Sequence, residues 1–491
     1  MIEVSKPALH HRLPLKAGPF PLPLAIYFTL VAIVAFAAFR DWAYDDAFIS
    51  YRYAANLLNG QGFVYNAGLR VLSTTTPLYA LVLGLLGNIW PDLPTLSNFI
   101  SALSLAAGGL LLWRLARSWC SRDVGALALL LYPLSPLLYS TFGGEMLFYM
   151  ALCLGCFVCY VESRYLWAAL LAALAVLTRG DAIVLVVLLG LSCFAHRSRR
   201  PPWPALAIFI LVIAVWVGFA YSYYGSPLPV TLLAKRSQGQ MAISQSFLAG
   251  LAELLRQYAG HWSYWIEALL LLAGALYAVV VRRRWLLFLA WPVLYAMAYV
   301  ALGVPRYFWY YAPLVAGTVV GVGLGLVACS WAVGRWPVLE GAKELARLIT
   351  AGLVLLLIVS HGLALWRLRQ HSDPRLGIYR AAGRWLRENS APSATVGTLE
   401  VGIIGYYSQR PMVDFAGLIQ PEVARQLDYQ ATYEDSALWA IEHYRPQYLV
   451  LNPIWFPSLL HRETTSGCRE RQRFPGAEYG YDGVLAIYRC D

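Results

Sequence analysis

Long apolar runs separated by short polar segments make up most of the chain. Each run is close to the roughly 20 residues that a helix needs to cross the hydrocarbon of a bilayer. The runs that predict membrane-spanning helices cover residues 21–40, 95–116, 124–140, 145–161, 165–177, 182–195, 204–223, 262–281, 285–302, 308–331 and 348–366. The pattern therefore predicts an α-helical integral membrane protein with eleven transmembrane helices.

One further apolar run, at residues 77–90, is short for a span and typical of an interfacial helix. If this run does not cross and the N-terminus is cytoplasmic, the basic clusters all face the cytoplasm, as the positive-inside rule requires. These clusters are Lys6, Arg12 and Lys16; Arg114, Arg117 and Arg122; Arg197, Arg199 and Arg200; Arg282, Arg283 and Arg284; and Arg335, Lys343 and Arg347. We therefore predict a multi-pass membrane protein with a cytoplasmic N-terminus, and with 77–90 as a juxtamembrane helix on the outer face.

The same orientation leaves four segments outside, at residues 41–94, around 143–145, at 224–261 and at 367–491. The last segment carries many more charges, and its periodicity predicts a small α/β domain. Its helical patterns lie at 377–388 and 433–443, and its strand-like runs lie at 394–399, 447–451 and 484–488. The sequence thus divides into a membrane domain, 1–366, and an extracytoplasmic domain, 367–491.

Composition excludes a soluble globular protein. Only 13% of the residues are charged, whereas a soluble domain carries about 25%. The net charge of +11 would suggest nucleic-acid binding in a soluble protein. Here the basic residues form the loop clusters that set orientation, so no nucleic-acid partner is predicted. The sequence has no histidine pair at ligand spacing and no glycine-rich phosphate loop. Neither a metal site nor a site for a soluble nucleotide-sugar donor is therefore predicted.

The cysteines fall into two groups. Cys153, Cys156 and Cys159 recur at helical spacing inside an apolar run, where small buried side chains account for them. Cys468 and Cys490 lie in the polar tail. Because an exported domain folds in an oxidising compartment, we predict a disulfide between Cys468 and Cys490.

Two adjacent carboxylates, Asp45 and Asp46, follow the first span directly and open a helical pattern. They can cap this helix and favour its dipole. Alternatively, one of them is a general base, because a carboxylate at the outer membrane boundary can meet a polar acceptor from the aqueous side. Both interpretations stay open, with a preference for Asp45 as the base because it lies nearer the first span. Glu145, in a Gly-Gly-Glu turn on the same side, is a third candidate acid or a helix cap.

Among the cations on the predicted outer side, four are candidates for a phosphate site, since positive charge there runs against the usual bias toward the cytoplasm. Lys235, Arg236 and Arg306 belong to outer loops, and Arg179 stands two residues before Asp181 between two spans. Such an Arg–Asp pair is often structural. An anionic lipid phosphate at the outer leaflet would account for the cations, and they are therefore predicted to bind it.

Aromatic residues crowd the same outer loops. An interfacial aromatic belt accounts for most of them, and stacking on a sugar ring would account for a few. The candidates for lining a substrate site are Tyr44, Tyr51, Tyr224 and His261.

The first outer segment also resembles a known family. DDAFISYRYAANLLNGQGFVYN, followed by TTTPLYALVLGLLG, resembles the first outer loop of the GT-C glycosyltransferases. The Asp-Asp-Ala opening, the stretch GSPLPVTLLAK and the tail segment VDFAGL resemble in particular the mycobacterial terminal arabinofuranosyltransferases and their bacterial relatives. The resemblance spans most of the chain.

This resemblance implies a protein of the bacterial plasma membrane with a GT-C fold. It also implies an inverting transfer of a sugar, arabinofuranose in that family, from a polyprenyl-phosphate donor. The acceptor would be an extracytoplasmic glycan, lipid or protein, and no cofactor would be required. Asp45 and Asp46 match the acidic residues of the loop. Glu145 falls where members of the superfamily often hold a second acid.

Two other classes of protein fit the membrane topology. A transporter or flippase of lipid-linked sugars would place ionisable groups near the midplane and show internal repeats. Here the notable charges lie at the outer boundary, and the sequence shows no repeat. A membrane scaffold whose tail binds a partner is the other alternative.

The predicted topology can be tested by thiol labelling in intact cells, in a background whose unpaired cysteines are replaced by serine. We expect a membrane-impermeant reagent to label Glu442→Cys in the tail and to leave Arg283→Cys unlabelled. The reverse pattern, with Arg283→Cys labelled and Glu442→Cys protected, would contradict the topology.

Overall fold

The computed structural model describes residues 21–195, 202–334 and 341–490. Several residues of the predicted cytoplasmic clusters lie outside these described residues, namely Lys6, Arg12, Lys16, Arg197, Arg199, Arg200 and Arg335. The described chain is mostly helical and ends in a small domain built around a five-stranded sheet.

In residues 21–195 and 202–224, the described part of the first half, the chain forms ten α-helices. They are α1 (Leu22–Phe39), α2 (Asp45–Leu58), α3 (Pro77–Gly87), α4 (Leu93–Ser118), α5 (Arg122–Leu131), α6 (Pro136–Tyr139), α7 (Met146–Val161), α8 (Tyr165–Thr178), α9 (Ile183–Ala195) and α10 (Trp203–Tyr224). Each predicted span of this half corresponds to one helix except 124–140. That span is divided into α5 and α6 because Pro133 and Pro136 lack the amide hydrogens that a continuous helix needs.

Six α-helices follow in the described residues 225–334 and 341–370. They are α11 (Val230–Gln240), α12 (Phe247–Ala259), α13 (Trp262–Val280), α14 (Trp285–Ala301), α15 (Ala312–Val333) and α16 (Ala342–Gln370). Helices α11 and α12 lie within residues 224–261, the segment that the sequence pattern predicts as a loop. Within the described residues, six helical stretches are long and apolar enough to cross a membrane, and further apolar helices of 10–17 residues stand among them. The protein is therefore a multi-pass membrane protein.

The tail contains α17 (Arg375–Asn389), β1 (Val396–Thr398), α18 (Gly402–Ser408), β2 (Met412–Asp414), α19 (Pro421–Ala424), α20 (Tyr433–Tyr444), β3 (Tyr448–Leu451), β4 (Cys468–Pro475) and β5 (Val484–Cys490). The sheet order is β2-β1-β3-β5-β4, with β1 parallel to both β2 and β3 and with β5 antiparallel to β3 and β4. Cys468 and Cys490 face each other across β4 and β5 and form a disulfide, which confirms that prediction.

The tail and the predicted outer loops form one layer on the membrane domain. Tyr65 of the first loop donates to the carbonyl of Val401, and Gln238 of α11 donates to the carbonyl of Ala416. At the opposite end, Trp285 donates to Ser121 and brings the cluster at Arg282, Arg283 and Arg284 beside the end of α4. The predicted sides are thus separated in space, and the assignment of one side to the cytoplasm stays a prediction.

Glycines allow the helices α13 and α15 to pack backbone against backbone. A side-chain carbon added at Gly274 would overlap the carbonyl oxygen of Gly321, and one added at Gly325 would overlap the carbonyl oxygen of Leu270. Small residues at such crossings let membrane helices approach closely. This contact fixes the position of α15, which follows the aromatic residues of the cavity described below.

We predict that Gly274→Leu lowers the free energy of unfolding by at least the roughly 1–3 kcal/mol typical of overpacking, because the backbone at Gly321 cannot rotate away. The measurement is thermal unfolding of the purified protein in detergent. Gly218→Leu is the matched control, since Gly218 lies on a membrane helix with open space around it. Equal unfolding temperatures for the two variants would contradict the prediction.

Candidate active site

A cavity of about 790 Å³ lies between the membrane helices and the layer of outer loops. The first loop, the turns before α7 and α9, helix α11, the segment before α15 and Leu418 of the tail all contribute to its wall. Three carboxylates and three cations line it: Asp46, Glu145, Asp181, Arg179, Lys235 and Arg236. The cavity therefore gathers groups that are far apart in the sequence.

The central pair is Asp46 and Lys235. Asp46 lies in the first turn of α2, and its Oδ2 is 3.6 Å from Nζ of Lys235 on α11. The carboxylate keeps 32% of its side-chain surface exposed, while the lysine side chain keeps 13%. Asp46 is thus open to a molecule in the cavity, and Lys235 is the cation enclosed beneath it.

An aromatic cage holds the Lys235 ammonium. It lies 4.6 Å from the ring centre of Tyr307 and 5.3 Å from that of Trp309, and it donates to the hydroxyl of Tyr310 at 3.3 Å. Burial lowers the pKa of Lys235, but Tyr310 and Asp46 outweigh it and raise that pKa above its usual value. The aromatic neighbours thus hold the Lys235 ammonium in place, and Asp46 balances its charge.

Arg179 forms the second charged cluster. Its Nη1 donates to Glu145 at 2.6 Å, and its Nη2 donates to Asp181 at 2.8 Å. Tyr299 donates to the same carboxylate of Asp181 at 2.5 Å. The guanidinium is thus largely occupied by two carboxylates. This arrangement favours the structural interpretation of the Arg–Asp pair and makes Arg179 a neighbour of the cavity more than a free phosphate ligand.

Apolar and polar residues both line the cavity. Among the apolar ones, Ile183 and Leu302 expose 46% and 76% of their surfaces. Ser73 and the three threonines that follow it belong to the polar part of the lining. The cavity therefore combines exposed apolar side chains with polar groups, among them the Asp46–Lys235 pair.

Asp45 points away from the cavity, although it adjoins Asp46. Its Oδ2 accepts from the amide of Gly402 at 2.9 Å, and its Oδ1 accepts from the amide of Ile403 at 2.8 Å. Burial and the nearby Glu400 raise the pKa of Asp45, and the amide of Ile403 opposes them. Asp45, which the sequence analysis favours as the base, is therefore hydrogen-bonded to the tail domain. It faces away from the cavity because adjacent positions of a helix point in different directions.

Four other predicted site residues lie outside the cavity lining. The exposed Arg306 donates to Gln245 at 2.6 Å. The hydroxyl of Tyr51 donates to the carbonyl of Gly143, and that of Tyr224 donates to the carbonyl of Phe63, so both phenols bond to backbone. The exposed His261 precedes α13. Tyr44, by contrast, lines the cavity and stacks on Trp309 at 5.3 Å.

Sequence reasoning missed several lining residues. Tyr299 lies within an apolar run where nothing marks it as functional, and Tyr310 is one member of a dense aromatic stretch. Thr74, Thr75 and Thr76 belong to the TTTP motif quoted for the family resemblance, so that motif was the available signal for them. Leu418 lies in the VDFAGL motif, which brings the tail to the cavity.

Solved structures with the same architecture include ArnT from Cupriavidus metallidurans bound to undecaprenyl phosphate. The match has 13% identity and a TM-score of 0.60, and it covers 95% of this chain and 98% of that chain. The oligosaccharyltransferase AglB from Archaeoglobus fulgidus, in complex with an inhibitory peptide and a dolichol-phosphate, matches at 13% identity and a TM-score of 0.59. That match covers 96% of this chain and 74% of that chain.

The protein has the GT-C fold. At these identities the similarity establishes the fold alone. The tail, residues 367–487, matches a family described as a domain of unknown function, DUF8728. A sequence comparison with curated proteins gives no match.

We predict that the ion pairs of Arg179 with Glu145 and Asp181 contribute to the stability of this GT-C fold. Arg179→Gln leaves the carboxylates of Glu145 and Asp181 without their shared cation, so we expect a loss of about 3–5 kcal/mol in the free energy of unfolding. Thermal unfolding of the purified protein measures it. Adding Glu145→Gln to Arg179→Gln should recover part of the loss.

Arg236→Gln serves as the control for that series, because Arg236 lines the same cavity but is exposed. It should change the unfolding temperature little. If Arg179→Gln and Arg236→Gln unfold at the same temperature, the cluster does not stabilise the fold as described.

Proposed function

We propose that the protein is a membrane glycosyltransferase that moves a sugar from a polyprenyl-phosphate donor to a hydroxyl of an extracytoplasmic acceptor. One observation supports this above all. A partly exposed carboxylate, Asp46, lies 3.6 Å from the caged cation Lys235 in a cavity whose lining includes the exposed apolar side chains of Ile183 and Leu302. Such a site suits a substrate with a lipid chain, an anionic head and a reacting hydroxyl.

Asp46 is the proposed general base. It removes the proton from the acceptor hydroxyl while the acceptor oxygen attacks the anomeric carbon of the donor. The bond between that carbon and the phosphate oxygen breaks, and the electron pair leaves with the polyprenyl phosphate. Because the attack comes from the face opposite the leaving group, the anomeric configuration is inverted.

Lys235 is the proposed phosphate ligand, with Arg236 as a second cation at the mouth of the cavity. Negative charge grows on the leaving phosphate as the bond breaks, and a preplaced ammonium stabilises that charge without reorganisation. Glu145 and Asp181 hold Arg179 beside the cavity, so we assign these three residues to shaping its electrostatic field. Tyr44 lines the same cavity, where its ring stacks on Trp309.

The fold agrees with this proposal. ArnT in its cited structure binds undecaprenyl phosphate, and AglB binds a dolichol-phosphate and a peptide. The sequence resemblance to the arabinofuranosyltransferases favours arabinofuranose as the sugar. Measuring donor consumption across a panel of polyprenyl-phosphate sugars would test both the glycosyltransferase activity and the identity of the sugar. Turnover of none of them, together with movement of a lipid-linked sugar across vesicles, would favour a flippase.

We predict that Asp46→Asn lowers donor turnover by about a hundredfold to ten-thousandfold, the usual contribution of general-base catalysis. The protein should still fold and bind polyprenyl phosphate, because Lys235 and the cage remain. Asp41→Asn is the matched control, since Asp41 lies in the same loop and its side chain is 86% exposed. Full turnover by Asp46→Asn would remove Asp46 from the mechanism.

We predict that Lys235→Ala weakens the binding of polyprenyl phosphate. Charge-assisted hydrogen bonds are worth about 1.5–3 kcal/mol, so we expect polyprenyl phosphate to bind roughly tenfold to a hundredfold more weakly. Arg306→Ala is the control outside the cavity and should bind as the native protein does. If Arg306→Ala weakens binding and Lys235→Ala does not, the phosphate site has been assigned to the wrong cation.

A further inference from the structure

The Asp46–Lys235 pair joins two helices, and the tail domain bonds to both of them. On the side of the acid, helix α18 of the tail contacts the start of α2. On the side of the lysine, the carbonyls of Leu418 and Ala416 accept from Thr231 at 3.1 Å and Gln238 at 2.9 Å, both on α11. The tail thus contacts both α2, which holds Asp46, and α11, which holds Lys235.

The contact with α2 is short and leaves no room for a side chain. Asp45 accepts from two successive amides of α18, and a side-chain carbon at Gly402 would overlap the carbonyl oxygen of Asp45. The clash is with main chain, so no rotamer change can relieve it. The backbone of α2 therefore lies directly against the backbone of α18 at the residue before Asp46.

Further bonds extend this contact along the first loop. Arg52 donates to the carbonyl of Gly405 at 2.7 Å, and Tyr65 donates to the carbonyl of Val401 at 2.6 Å. Asn66 and Met412 exchange two hydrogen bonds of 2.9 Å, side chain to backbone. The start of α2 thus lies at one end of a row of hydrogen bonds between the first loop and the tail.

The contact with α11 depends on a turn that Asp414 shapes. Its carboxylate accepts from the amides of Ala416 and Leu418, at 2.8 and 2.5 Å, and from that of Ile419 at 3.2 Å. These bonds direct the carbonyls of the turn toward α11 and bring Leu418 to the cavity. The same domain therefore determines where both charged side chains of the site are held.

From this geometry we infer that the C-terminal domain is a positioning clamp for the active site, and that Asp45 is a positioning residue that holds α2 so that Asp46 faces Lys235. The inference rests on the proposed function, in which Asp46 is the base. Asp45 does not touch substrate in this account. It acts through the backbone of its neighbour, where a displacement of about 1 Å can cost a hundredfold in rate.

Substitutions at Asp45 separate positioning from chemistry. An asparagine keeps one of the two acceptor oxygens, whereas an alanine keeps neither. We expect Asp45→Ala to lower kcat by about ten- to a hundredfold with little change in KM for the donor, since Lys235 lies on another helix. Asp45→Asn should retain intermediate activity. A base would lose its function equally in both variants, so equal losses would overturn the proposal.

Gly402→Ala tests the clamp with Asp45 intact. It should lower kcat to a similar degree as Asp45→Ala, because the added carbon forces the two backbones apart. Gly362→Ala is the matched control, since Gly362 lies in α16 with nothing near its missing side chain. Native kcat for Gly402→Ala would contradict the proposal.

Hydrogen exchange of the full-length protein in nanodiscs supplies a readout that does not need activity. Asp45→Ala and Gly402→Ala should speed exchange in both 402–408 and 45–58, whereas Asp46→Asn should leave both segments protected. Unchanged exchange in the first two variants would overturn the clamp. If instead Asp46→Asn stays fully active while exchange responds as described, the proposed base is wrong and the docking contact stands.

Discussion

A lysine ammonium enclosed by aromatic rings, 3.6 Å from a carboxylate, is the interaction on which the site depends. A charge at the edge of a low-dielectric region is costly unless it is paired. Asp46 supplies that partner. In the proposed mechanism, a donor phosphate binds Lys235 and takes over this role, which leaves Asp46 free to accept a proton. Under that proposal, donor binding and activation of the base are coupled electrostatically.

The membrane helices could be predicted from the sequence because hydrocarbon demands long uninterrupted apolar runs. The prediction of helices was wrong where prolines interrupt an apolar run and where helices form in a polar segment. Pro133 and Pro136 divide one apolar run into two helices. Helices α11 and α12 carry too many polar residues to register as spans. Strand β4 was missed because most of its side chains are exposed at the edge of the sheet and charged residues dominate it.

The site could be predicted only as a set of residues at one membrane boundary. Asp46, Glu145, Arg179 and Lys235 were found in this way, since loops that end on the same side meet there. The choice between Asp45 and Asp46 could not be made, because it depends on amides of the tail more than 350 positions away. Arg306 fits the charge pattern equally well, but its partner is Gln245.

The most direct measurement is a cryo-electron microscopy structure of the full-length protein in nanodiscs with polyprenyl phosphate bound. We predict phosphate density within hydrogen-bonding distance of the Lys235 ammonium, with the lipid chain leaving along Ile183 and Leu302. We also predict that Asp46 then faces open space in the cavity. Phosphate density at Arg306 or at the Arg282–Arg284 cluster, with Lys235 still paired to Asp46, would contradict the central claim.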